Sequence, residues 1–432
     1  VKSSQVKFIL YALIAGGCVA RVLAALHHNP VEAISGDSQR QWVFSQVPLR
    51  RDPQAGFDPI LYPLWLWLVR MWTGYSFARL GWYTAALSVA TPLVWYLFLR
   101  RALRHEIVAL CGAVLLLWLP SWIGIYSYFL NETLLLPMLG LALWQTQRTI
   151  DTPGPPRLKP FRLSVVVWAL ACLTRAVALP AALTAMYYEF RDSKAPRRML
   201  RQGSIIALLM LVPAGLRTVW ILGVFAPFGY PMKDTIMFLS GTRRVEFTLV
   251  PPGDKTAHQY WYQPYSTRLE GNVAPLSDWR TSRVGVARFD IDLHRGSRDW
   301  LAALFGQARW SQLPRLYLDN WVILLFAPSY DDCNPHHLWE ACAVWMRFLW
   351  APLYLLVFVG NLLALRCGER PAFIMAVNVV TWVTCLLLPV AVMEGRYRKP
   401  LEGLLIANFM WLVDIWWTRR ERPRVSEAGD TT

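Results

Sequence analysis

The sequence predicts an all-α polytopic membrane protein with about ten transmembrane helices and further helices lying along one membrane face. Three observations carry this. Apolar runs long enough to cross a hydrocarbon core, about 20 residues each, recur along the chain. Of the 432 residues, 55% are hydrophobic and only 17% charged, too few charges for a soluble chain of this size. The basic residues fall in clusters that one topology places on a single side of the membrane.

The apolar runs are Val6 to Leu26, Leu80 to Leu99, Ile107 to Tyr126, Phe129 to Gln145, Ser204 to Phe225, Ala341 to Leu365, Ala372 to Val392 and Leu401 to Trp417. The first is long and lacks a small-residue cleavage site, so it reads as an anchor. Leu163 to Phe190 is also apolar, but Thr174, Arg175 and Pro180 interrupt its middle and basic residues flank both ends. The flanks therefore belong on the same side, and the segment enters and returns as two short helices meeting near Arg175. With that pair both termini lie in the cytoplasm. The clusters Arg100-Arg101, Arg157 to Arg162, Arg191 to Arg201, Arg366 to Arg370 and Arg419 to Arg424 share that side.

This topology divides the chain. Residues 1–226 form an N-terminal transmembrane module containing a first outer loop, 27–59. Residues 227–340 form a long outer loop, 341–418 the C-terminal transmembrane helices, and 419–432 a polar cytoplasmic tail. Acidic and basic residues balance in the long loop, so the net charge of +16 is largely a topology signal and does not call for nucleic acid. The 23 Trp and 17 Tyr fit interfacial belts. Pro59 to Thr73 is apolar but short, and reads as a helix at the interface or re-entering it. The loop's first part, around Pro251-Pro252-Gly253, reads as irregular, and Trp300 to Phe326 as amphipathic surface helices.

Cysteine offers no metal-type spacing. Cys18, Cys111, Cys172, Cys367 and Cys385 lie in or beside apolar runs and read as small core residues. Cys333 and Cys342 lie in a loop region where a disulfide is one option. The adjacent His336-His337 reads as solvated, and no nucleotide-binding glycine loop is present.

Four polar groups stand at the outer ends of otherwise uncharged spans. Asp37 lies about ten residues past the first span. It is either a general base or metal ligand, or the cap of a short helix running to Phe44. Glu132 opens the fourth span, as a functional acid or as a favourable charge at a helix N-terminus. Arg175 lies inside an apolar segment and requires an anion, either a ligand phosphate or a carboxylate of the chain. Gly395-Arg396-Tyr397-Arg398-Lys399-Pro400 puts basic residues on the outer face, against the positive-inside trend. Arg forks bind phosphate oxygens well, and anchoring of lipid headgroups is the alternative.

Asp37 with the short helix after it, Asn131-Glu132-Thr133-Leu134, Thr174-Arg175 and the Gly395 to Pro400 turn occur in this order along nearly the whole chain. In this the chain resembles the GT-C glycosyltransferases that use polyprenyl-phosphate sugars, the group of the protein O-mannosyltransferases and the lipid A aminoarabinose transferases. The resemblance implies a GT-C-like fold, a site facing periplasm or ER lumen, and transfer of a sugar from a polyprenyl-phosphate carrier to a glycan, lipid or protein acceptor. It implies Asp37 as the catalytic acid/base centre, Arg175, Arg396, Tyr397 and Arg398 as donor-phosphate partners, and Glu132 as a positioning or acceptor residue. The compact single chain suggests a bacterial inner membrane.

Two departures matter. Many relatives carry a second acid directly after the loop Asp, where this chain has Ser38. That leaves a requirement for a divalent metal open and weakens a protein-mannosyltransferase reading. The long loop also lacks the Trp-Trp-Asp motif of oligosaccharyltransferases. A transporter or flippase for lipid-linked sugars is the rival class. It would place charges along a path through the membrane and show repeat symmetry. A non-catalytic subunit of a glycan-assembly complex is the third, and it would leave Asp37 dispensable.

Overall fold

The computed structural model describes residues 3–34, 36–47, 59–152, 163–190, 196–222, 244–249, 258–261, 286–291, 311, 313–326, 338–370, 372–388 and 395–421. Its helices are α1 (Ser3–His27), α2 (Gly36–Phe44), α3 (Leu61–Thr73), α4 (Phe77–Ala102), α5 (Glu106–Leu117), α6 (Pro120–Gly124), α7 (Asn131–Ile150), α8 (Leu163–Thr174), α9 (Leu179–Phe190), α10 (Pro196–Leu222), α11 (Leu313–Phe326), α12 (Leu338–Arg366), α13 (Phe373–Leu387) and α14 (Lys399–Glu421).

By length and composition, three helical segments among the described residues can cross a membrane: Ser3–Glu32, Phe77–Ala102 and Met199–Trp220. A fourth arises if α5 and the turn after it, Pro120–Ser127, bent by 54°, count as one span. Other helices, α8 and α13 among them, are apolar but shorter. The protein is thus a helical chain whose long apolar helices are compatible with an integral membrane protein.

Polar contacts tie the helix ends into two sets. At one end lie Arg101 and Arg419, from two of the basic clusters: Arg101 bridges to Asp151 at 2.8 Å, Arg419 to Glu369 at 3.1 Å, and His105 to Asp414 at 2.8 Å. At the opposite end, Asn29 donates to the Phe77 carbonyl, Trp122 to that of Lys399, Trp321 to that of Leu386 and Arg398 to that of Leu324.

Small residues bring the helices between these ends close together. A Cβ on Gly140 would stand 2.6 Å from the Trp95 ring, and one on Gly403 2.7 Å from Trp122. The two indoles therefore meet at the centre of the bundle, 5.4 Å apart and edge to face. Asn361, Asn378 and Asn408 add a buried amide cluster joining α12, α13 and α14.

Several expectations hold locally. The apolar segment at Arg175 is broken into α8, a 3-10 turn at Ala176–Ala178, and α9. The short apolar segment after the first outer loop forms α3. It buries Tyr62, Leu66 and Val69 and exposes Leu68, Met71 and Trp72. From Trp300 to Phe326 the described helix is α11.

One expectation is corrected. The first part of the long loop, expected to be irregular, holds three short strands, while the described residues are otherwise helical apart from turns and connections. Strands β1 (Arg244–Leu249), β2 (His258–Trp261) and β3 (Val286–Ile291) form a sheet in the order β2-β1-β3, with β1 antiparallel to β2 and parallel to β3. The cause is visible in Arg244-Val245-Glu246-Phe247-Thr248-Leu249, which alternates polar and apolar with the period of a strand. Cys342 carries a free thiol, while Cys333 and the His336-His337 pair lie outside the described residues.

Candidate functional site at the end opposite the basic clusters

Asp37 sits in the first turn of α2, where a carboxylate complements the helix N-terminus. Its side chain is buried and pairs with Arg40 one turn on, at 3.1 Å. Two contacts seat α2. The Trp42 ring stacks on Phe129 with centroids 4.7 Å apart, and Arg70 of α3 binds the C-terminal end of α2. Phe129 lies three residues before Glu132, and Thr133 donates to the Tyr62 hydroxyl of α3 at 3.2 Å. So α2, α3 and the start of α7 form one packed unit.

Glu132, in the first turn of α7, is only 1% exposed. Its carboxylate pairs with the Arg175 guanidinium. Arg175 stands where the helix breaks, with extended backbone (φ −156°, ψ 134°), so its side chain leaves the wall of α8 and α9. Its guanidinium lies 4.3 Å from the centroid of the Tyr397 ring, a cation–π contact. Tyr397 belongs to a 3-10 turn, Gly395–Arg398, that leads into α14.

Arg398 is buried at the foot of that turn. Its Nε donates to Glu402 at 3.0 Å and its Nη1 to the Leu324 carbonyl at 3.0 Å. Ser121 donates to the other Glu402 oxygen at 2.6 Å. Arg175 thus contacts both Glu132 and Tyr397, Arg398 is the next residue in the chain with its own carboxylate, and Asp37 is joined to them through the packing of α2. The side chain of Arg396 lies outside the described residues.

Three participants escaped the sequence reading. Glu402 was detectable, because it stands four residues after Arg398 on one helix face. Arg70 and Arg21 were detectable as ionisable residues in apolar segments. Arg21 is fully buried and donates to the carbonyls of Leu116, Leu117, Ser88 and Trp122 and to the Ser88 hydroxyl. Among the described residues no group of three His, Cys, Asp or Glu stands ready to hold a metal ion.

Chemically, this end of the bundle offers a buried carboxylate on a short helix, a second acid–arginine pair under a tyrosine, and a third pair behind it. Such a layout suits a ligand with both a hydroxyl to deprotonate and an anionic oxygen to hold. Compared with known proteins, the chain matches no family model, no curated protein and no solved structure.

Proposed function

We propose that this chain is a GT-C-type glycosyltransferase that moves a sugar from a polyprenyl-phosphate carrier to an acceptor hydroxyl at the outer face of a bacterial inner membrane. The observation that carries the reading is the meeting of Glu132, Arg175 and Tyr397 at the helix ends beside the unit that holds Asp37. In this reading the chain crosses the membrane ten times. On that count α4, α7, α9, α12 and α14 would run from the site end to the basic end and α1, α5 with α6, α8, α10 and α13 would run back.

The acceptor oxygen attacks the anomeric carbon of the donor. The bond from that carbon to the phosphate oxygen breaks, and the acceptor proton passes to Asp37. The leaving polyprenyl phosphate gains negative charge as the bond breaks. Arg175 answers it, Tyr397 holds the Arg175 plane in place, and Arg396 and Arg398, which flank Tyr397 in sequence, are the further cations of this reading. Glu132 keeps Arg175 oriented while the site is empty. The apolar surroundings strengthen each of these interactions.

The test compares wild type with Asp37→Asn and Asp37→Ala, purified in detergent with polyprenyl-phosphate sugars and candidate acceptors. Loss of transfer with donor binding retained supports the reading. Wild-type transfer by Asp37→Asn rejects Asp37 as the base. A wild-type protein that transfers nothing but carries lipid-linked sugar across a liposome membrane is a transporter, and the reading fails.

A further inference from the structure

Close to the Arg398–Glu402 pair lies a group of hydrogen-bond donors that the chain itself leaves unanswered. Trp350 and Tyr354 of α12 stack with ring centroids 6.4 Å apart, and Tyr354 meets Trp382 of α13 edge-on at 4.8 Å. Thr381 precedes Trp382. All four side chains are more than nine-tenths buried. The indole nitrogens of Trp350 and Trp382 and the hydroxyls of Tyr354 and Thr381 have no hydrogen-bond partner. The charges of Arg398 and Glu402 act on the Tyr354 hydroxyl, which places the cluster beside the proposed site.

Buried donors without acceptors are rare in folded proteins, and four on two neighbouring helices, three of them in ring contact, rarer still. An indole N–H only donates, so nothing short of an incoming acceptor can satisfy it. The occupant must therefore be rich in acceptor oxygens. It is also uncharged at this point, because the four donors are themselves neutral. Aromatic faces with hydroxyl and N–H donors around them suit the C–H faces and hydroxyls of a sugar ring. We propose that Trp350, Tyr354, Thr381 and Trp382 bind the hydroxyls of the sugar carried by the lipid donor.

This rests on the transferase reading and assigns the sugar-recognition part of that site. The donors are sealed in the conformation seen, so the sugar enters when α12 and α13 part. Pro352 lies between Trp350 and Tyr354 and removes one rung of the α12 hydrogen-bond ladder at that level, which makes α12 easiest to bend there.

Tyr354→Phe and Thr381→Val remove a hydroxyl with little change of volume, and they separate two roles by sign. A hydroxyl waiting for a ligand is a burden on the empty protein, so each variant melts at the wild-type temperature or above it in the absence of lipid. The same variants bind polyprenyl-phosphate mannose, glucose or galactose, whichever the wild type prefers, about 3- to 10-fold more weakly, the loss of one neutral hydrogen bond. Bare polyprenyl phosphate binds all forms alike. A lower melting temperature of both empty variants overturns the proposal, because the hydroxyls then have partners in the native state. Equal weakening for bare polyprenyl phosphate makes this a phosphate site and overturns the sugar assignment. Unchanged binding of every sugar lipid leaves only a buried water and also overturns it. Wild type that binds none of the four lipids sinks the transferase reading as well, an outcome distinct from the other three.

Discussion

The guanidinium of Arg70 donates to the main-chain carbonyl of Trp42 at 3.0 Å while lying over the indole of the same residue, 4.3 Å from its centroid. The same nitrogen reaches the Ser45 hydroxyl at 3.0 Å, and the other terminal nitrogen the Tyr75 hydroxyl at 2.6 Å. A cation thus caps the C-terminal end of α2, where the helix dipole favours it, while Asp37 stands at the N-terminal end.

Replacing Arg70 should therefore loosen the helix that carries Asp37. Arg70→Gln loses charge-assisted hydrogen bonds and the aromatic sandwich, at a cost of about 2 kcal/mol. Arg70→Lys keeps the charge but cannot bridge three acceptors from two sides. Hydrogen exchange in residues 37–45 should rise in both variants, more in Gln than in Lys. Transfer should fall chiefly in kcat, with donor binding at the Arg175 end unchanged. Unaltered exchange in α2 would show that Trp42 on Phe129 seats the helix alone.

The pair of Glu132 and Arg175 gives a second prediction. Arg175→Met strands a carboxylate that is almost wholly buried, and breaking a buried pair from one side costs about 3–5 kcal/mol. Arg175→Met with Glu132→Gln removes both charges, so the double variant should recover most of that stability. On the proposed function it should not recover transfer, because the cation assigned to the donor phosphate is still missing. Thermal melts and transfer assays on the two singles and the double distinguish the cases. Full activity in the double variant would mean that the pair serves the fold only.

Some features that rest on a charge or a helix length were legible, although Glu402, Arg70 and Arg21 passed unread. The break at Arg175 and the helix from Leu61 to Thr73 both follow from a charge or a length that the membrane does not tolerate. What was hidden depends on distant chain segments. Arg21 finds its acceptors 67 to 101 residues away, so the first apolar run read as a plain anchor. Arg175 was assigned an anion, but its being Glu132 required the packing of α7 against α8. The strands at Arg244–Leu249 and Val286–Ile291 were missed for another reason. Their alternation is only six residues long, and the Pro-Pro-Gly that follows β1 dominated the reading of that loop.

Arg21 yields the third prediction. It answers the last carbonyls of α5 and one carbonyl of α6, where the helix bends by 54° and cannot satisfy itself. Arg21→Met leaves those oxygens buried without donors and should lower stability by about 3 kcal/mol or more. Arg21→Lys should rescue little, since a single ammonium cannot reach acceptors on α4, α5 and α6 together. Melting curves in detergent measure this directly. A wild-type melt for Arg21→Met would mean that the bend is held by the Trp95–Trp122 packing instead.

The last prediction concerns pH and the basic end. Asp414 accepts from the main-chain nitrogens of Arg104 and His105 and from Nδ1 of His105, and Nε2 of His105 reaches Glu421 at 3.1 Å. Burial pulls the His105 pKa down, but hydrogen bonds and charges from Asp414 and Glu421 outweigh it, and the net shift is upward from 6.5. A raised folded pKa means that the charged imidazole stabilises the fold fully below 6.5, and that this contribution disappears as pH rises through the folded value. Glu421 is shifted the other way, chiefly by its hydrogen bond from His105, so its share is present above 4.5 and fades as pH falls through its lowered folded value. The two together confine this clamp between α5 and α14 to mildly acidic pH. Melting temperature should fall from pH 6 to pH 8 in the wild type, and the slope should flatten in His105→Gln. A slope that persists in that variant would place the titrating group elsewhere.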